Sequence, residues 1–249
     1  MKKIINIKTI VMLLAITVTL NSCKKDNNDD VPQNNHDDAW GDVILKKMSM
    51  MGTIKYLPVF FADGVDIAAT GNSVTGPDGT VYDLHDIPWM QGNKQTGGGT
   101  PSTTKPQAGT YTFHLKFTDG TTVDVTDELE NTEIDVPMIT AFNYDQASQT
   151  IHIEWTPVAN ADLYCVKITE LDMANTKPFF KLPQLPTNSN TLDINIDGSN
   201  GWMRPTSELQ SGTEYYIVVA AKKVEQGKPV SGMSSDFQTS SCNKRKFTY

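Results

Sequence analysis

Apolar and polar residues alternate over short runs through much of this chain. Ile151, Ile153 and Trp155 fall on one side of an extended segment, as do Tyr164, Val166 and Ile168. Successive side chains of a strand point to opposite faces, so each such run has one side to bury. No stretch of the chain sustains a helical period. Runs rich in Val, Ile, Thr, Tyr and Phe are instead separated by Gly, Pro, Asn and Asp, which is how antiparallel all-β domains read. About 210 residues follow Trp40, enough for two domains of roughly 100 residues each. The expectation is therefore all-β, with two tandem β-sandwich domains.

In the second half, strand candidates run over 138–144, 150–155, 163–171, 191–196, 215–224 and 233–239. The passage Leu209-Gln-Ser-Gly212-Thr213-Glu-Tyr215-Tyr-Ile-Val-Val219-Ala-Ala221 resembles the corner and following strand of fibronectin type III domains. In that family the leucine packs at the corner, the glycine turns the chain and the tyrosine hydroxyl bonds back to backbone. Trp155 matches the family's core tryptophan, and Tyr164 with Val166 matches the next strand. Ser211 stands where the family usually has proline. The resemblance implies a fibronectin type III-like domain over 135–241, followed by a short C-terminal tail at 242–249. It implies little about function, because the fold serves many.

The first half, 40–134, offers strand candidates at 43–50, 53–62, 65–69, 81–84, 110–118 and 121–126. The last two flank Asp119-Gly120, a hairpin signal. Gly109-Thr110-Tyr111 resembles the start of an immunoglobulin-like strand, which implies an immunoglobulin-like sandwich. Thr96 to Pro106 (TGGGTPSTTKP) reads as a mobile loop within it.

The chain opens with Met-Lys-Lys and an apolar run from Ile10 to Leu20 that is too short for a permanent span, so 1–22 reads as a signal peptide. Leu20-Asn21-Ser22-Cys23 resembles the lipobox of bacterial lipoproteins, with Asn21 departing from the usual small residue. The resemblance implies lipidation at Cys23, whose acyl chains would hold the protein at a membrane. Residues 23–39 are then a lipidated flexible tether of Asp, Asn, Gln and Pro. KKDNNDD after Cys23 looks like the lysine-plus-acid signal of some surface-exposed Gram-negative lipoproteins, though a merely solvated tether reads the same. The expected location is the outer membrane, at the cell surface or its periplasmic face.

Removing residues 1–22 takes three of the 21 basic residues and none of the 29 acidic ones, which leaves 18 against 29 and a net charge of −11. Such a balance repels nucleic acid, which is bound mainly through clustered Lys and Arg.

Asp193-x-Asn195-x-Asp197-Gly198 matches the opening of a calcium loop. Its twelfth position, however, is Arg204 rather than a bidentate Glu, and Leu192, Ile194 and Ile196 alternate as a strand. A strand with an Asp-Gly turn is expected instead. His36, His85, His114 and His152 share no metal-like spacing, and no nucleophile turn of the Gly-x-Ser-x-Gly kind occurs. No enzyme activity, metal or cofactor is expected. With Cys23 lipidated, Cys165 and Cys242 could form a disulfide in an oxidising compartment. Cys165 alternates opposite Tyr164 and Val166, so it should point away from the core. The strands concerned are not neighbours in this fold, which makes the geometry demanding.

Trp89 (HDIPWMQGN) and Trp202 (DGSNGWMRP) sit in turn-like settings, where an indole beside Asn and Asp can stack on a sugar ring; each could equally cap the end of a sandwich core. The layout resembles lipoproteins of polysaccharide-capture systems in gut-type Gram-negative bacteria. That likeness implies an envelope binding protein whose partner is a glycan or an envelope protein. The alternative is a structural spacer or accessory subunit of an envelope complex.

Overall fold

Residues 40–63 form a long hairpin of β1 (Trp40–Met50) and β2 (Thr53–Asp63) that recruits strands on both of its sides. The computed structural model describes residues 36–50, 52–90, 94–130, 132–170, 176–230 and 236–249. The expected signal peptide, Cys23 and the tether up to residue 35 lie outside them. The remaining strands are β3 (Ser73–Thr75), β4 (Val81–Asp83), β5 (His85–Asp86), β6 (Gln95–Gly98), β7 (Gly109–Lys116), β8 (Thr122–Leu129), β9 (Ile139–Asp145), β10 (Thr150–Trp155), β11 (Leu163–Thr169), β12 (Phe180–Leu185), β13 (Thr191–Asn195), β14 (Glu214–Val224) and β15 (Phe237–Thr248). The fold is all-β, as the alternating runs predict.

One eight-stranded sheet, in the order β12-β11-β14-β15-β1-β2-β6-β5, runs through both halves of the sequence. On its front face, β4-β3-β7-β8 covers the first half and β13-β10-β9 the second. The first core holds Val43, Leu45, Phe60, Tyr111, Phe113 and Leu115. The second holds Ile151, Ile153, Trp155, Tyr164, Val166 and Tyr215. Residues 36–249 form one compact unit, because a parallel ladder of β1 on β15, from Leu45 opposite Thr239 to Met48 opposite Cys242, joins the two sandwiches edge to edge.

The fibronectin-like landmarks take their expected places. Trp155 and Tyr164 are fully buried with their rings edge to face, 5.6 Å apart. The Tyr215 hydroxyl accepts the Gln210 backbone N–H at 2.8 Å, Leu209 is buried beside it, and Gly212 turns at φ 80°. A second corner of the same kind lies in the first half, where the Tyr111 hydroxyl donates to the Gln107 carbonyl at 2.9 Å. The Asp119-Gly120 hairpin joins β7 to β8 as its signal indicates.

Other expectations are corrected. Residues 242–249 are no tail: they continue β15, paired along its length with β14 from Phe237 to Thr248. The Thr96–Pro106 segment begins as strand, with β6 on β2 and a further bridge between Tyr56 and Ser102. Its glycines are packing residues there, since a Cβ on Gly97 would lie 2.6 Å from the Asp83 carbonyl oxygen. Of 65–69 only Ile67 pairs, with Phe117. The fold also begins before Trp40: the buried His36 ring stacks on Phe117 with centroids 3.5 Å apart.

Candidate functional site

The period-two pattern that fills the two cores leaves a second set of side chains on the back face of the long sheet. Leu45, Val219 and Val166 point forward, so Ile44 and Lys46 of β1, Val218, Ala220 and Lys222 of β14, and Cys165 and Lys167 of β11 point back. Val59 and Phe61 of β2 and Ser240 and Cys242 of β15 extend the same surface. This floor is apolar along several strands, and Ile44, Leu163, Val224 and Phe237 pack together on it. Ile87, Trp89 and Met90 stand along one side and Thr176 and Pro178 along the other, enclosing a groove of about 250 Å³.

Four lysines, Lys46, Lys167, Lys181 and Lys222, line the groove. In a chain this acidic, such a grouping sets the groove apart from the rest of the surface. The Lys222 ammonium sits 3.9 Å from the centre of the Phe237 ring, a cation over an aromatic face. Burial lowers its pKa, with Lys181 and Lys167 adding to the depression while Cys165 and Asp42 oppose it. An anionic group entering the groove would relieve this crowding of positive charge.

The two tryptophans singled out by sequence part company. Trp89 lies on the groove wall, half-buried, and its buried Nε1–H has no acceptor among the described residues. Trp202 lies away from the groove. It packs edge to face on Phe180 at 5.4 Å, and its Nε1 already donates to the Asn195 carbonyl at 2.9 Å. That is the geometry of a core cap.

The possible Cys165–Cys242 disulfide is not formed, and both side chains are buried as thiols. Cys165 does point away from the core, as its alternation indicates. It sits opposite Ala220, however, and Ala220 in turn sits opposite Cys242. A whole strand therefore separates the two cysteines, about 9–10 Å at ordinary strand spacing, beyond the reach of a disulfide.

The Asp193–Gly198 segment is strand and turn, as its flanks predict. Asp193 bonds His152 at 2.6 Å, and Asp197 accepts the Ser199 N–H at 2.8 Å. His114 lies between Thr75 and Asp124 on an outer strand face.

Sequence reasoning missed the back face and its lysines. The available signal was that β1, β2, β11 and β14 are nearly as apolar on their second face as on their first, the mark of strands covered on both sides.

No family model matches the chain, and no curated protein matches it. Among solved structures it is similar to the chicken CNTN1 FN1-FN3 domains, with 11% sequence identity over 83% of this chain and a TM-score of 0.28. The match spans 65% of that longer chain. The fold itself is that of immunoglobulin-like and fibronectin type III-like β-sandwiches.

Proposed function

We propose that this protein is a lipid-anchored envelope lipoprotein, held through Cys23, that captures a polysaccharide bearing acidic groups in the groove on the back of its long sheet. The observation that carries this reading is Trp89: a half-buried indole on the wall of a groove that four lysines also line. Stacking on an aromatic face and a few placed polar groups are what a sugar-binding cleft requires. The lysines select for carboxylate or sulfate on the sugar. No nucleophile or acid–base pair is required for this role.

A spacer function is favoured by a different observation, the shared sheet that joins the two sandwiches in one compact unit.

Affinity gel electrophoresis of residues 24–249 separates the two readings, with neutral and acidic polysaccharides in the gel. Retardation by an acidic polysaccharide, abolished in Trp89→Ala and unchanged in Trp202→Ala, supports capture in the groove. Equal mobility in every gel removes the binding reading and leaves the spacer.

A further inference from the structure

Where β15 peels away from β1, beyond the Leu45–Thr239 pair, the open edge of β1 meets β8 and the turn after β14. Asp127 of β8 reaches across and accepts the Val43 N–H at 2.7 Å. Glu225 arrives from the other sandwich, just beyond β14. Asp42 of β1 completes the cluster, and one carboxylate oxygen from each of the three lies within 4.8 Å of the others.

Asp42 is the telling member. It is only 4% exposed, and its Oδ2 is buried with no hydrogen-bond partner among the described residues. Ionised carboxylates are almost never buried this way unless paired or bound to metal. The neighbouring cations offset this burial only in part. Lys228 pairs with Asp236 at 2.9 Å, and the pull of Lys222, which lies over the Phe237 ring, is smaller than the effect of burial and of the neighbouring acids. Gln238 offers its amide to Glu225 at a long 3.4 Å. Three oxygens spaced within 4.8 Å match the width of a calcium ion with ligands at 2.3–2.6 Å on opposite sides, and an all-oxygen set suits a hard cation.

We propose that Asp42, Asp127 and Glu225 bind a hard divalent cation of the calcium class, which ties β1, β8 and the end of β14 together where the two sandwiches meet. Water and backbone carbonyls complete its shell. None of the three carboxylates lines the groove, so failure of polysaccharide capture leaves the site standing.

The test is calorimetric titration of EDTA-stripped 24–249 with calcium chloride, alongside thermal melts. One calcium per chain is expected, with a Tm rise on the order of 5–10 °C at a hundredfold excess over Kd. Asp42→Asn should abolish both responses yet melt no lower than the unsubstituted chain in EDTA, because the amide keeps the shape of a side chain whose buried Oδ2 has no partner to lose. Glu225→Gln, at a more open position, should weaken binding by about tenfold or more and decides the matter if Asp42→Asn does not fold. Absence of both heat and Tm shift in the unsubstituted chain overturns the proposal. Undiminished calcium binding in the folded variants overturns it equally.

Discussion

The Lys47 ammonium donates to the Ile134 carbonyl at 3.1 Å, and through that bond β1 of the first sandwich holds the chain that enters the second. Lys47 is nearly buried and also lies 3.4 Å from Glu133. The Ser241 hydroxyl donates to the same carbonyl at 2.8 Å, and Gln238 bonds both Glu130 and Glu128. The connector is thus pinned to the shared sheet along its length.

Lys47→Met should lower stability by about 1.5–3 kcal/mol, the range for a hydrogen bond to a charged group. Urea titration followed by tryptophan fluorescence and by circular dichroism checks this. Coincident transitions are expected for the unsubstituted chain, since one sheet runs through both cores. Two separate transitions, or a midpoint unmoved in the variant, would contradict the pinned junction.

Gly41 on β1 has the Phe113 ring where a side chain would begin: a Cβ would sit 2.5–2.7 Å from three ring atoms. Phe113 is fully buried and has nowhere to retreat. Gly41→Ala should therefore destabilise by about 1–3 kcal/mol, visible as a lower Tm. An unchanged Tm would show that the first core is looser than described.

His152 bonds Asp193 at 2.6 Å and Glu154 at 3.2 Å, and these hydrogen bonds raise its pKa above the ordinary 6.5. A raised histidine pKa contributes stability that is fully present below the unfolded value and is lost as pH climbs through the folded one. The proton resonances of His152 should titrate above pH 6.5 and move back toward it in Asp193→Asn. A midpoint at or below the ordinary value would contradict the bonding.

Cys165 and Cys242 are unbridged thiols separated by Ala220. Residues 24–249, unfolded without reductant and alkylated, should gain two adducts by intact mass. A chain that takes up label only after reduction would restore the disulfide.

The alternating runs around Ile151, Tyr164 and Tyr111 determined the strands and the cores on their own, because side-chain period and turn chemistry are local properties. The tyrosine corner at Tyr215 was legible for the same reason, its bond spanning only a few residues, whereas the one at Tyr111 came from the structure. Strand β6 and the end of β15 were not, since Gly97 and the polar Asn243–Lys246 run become strand only through partners elsewhere in the chain. The candidate site was half legible: Trp89 stood out as an indole in a turn, while its lysines came from four different strands. Joining β15 to β1, separating Cys165 from Cys242 by one strand and gathering Asp42, Asp127 and Glu225 were left to tertiary structure. Those outcomes depend on strand order, which links residues far apart in sequence through backbone hydrogen bonds that carry no side-chain signature.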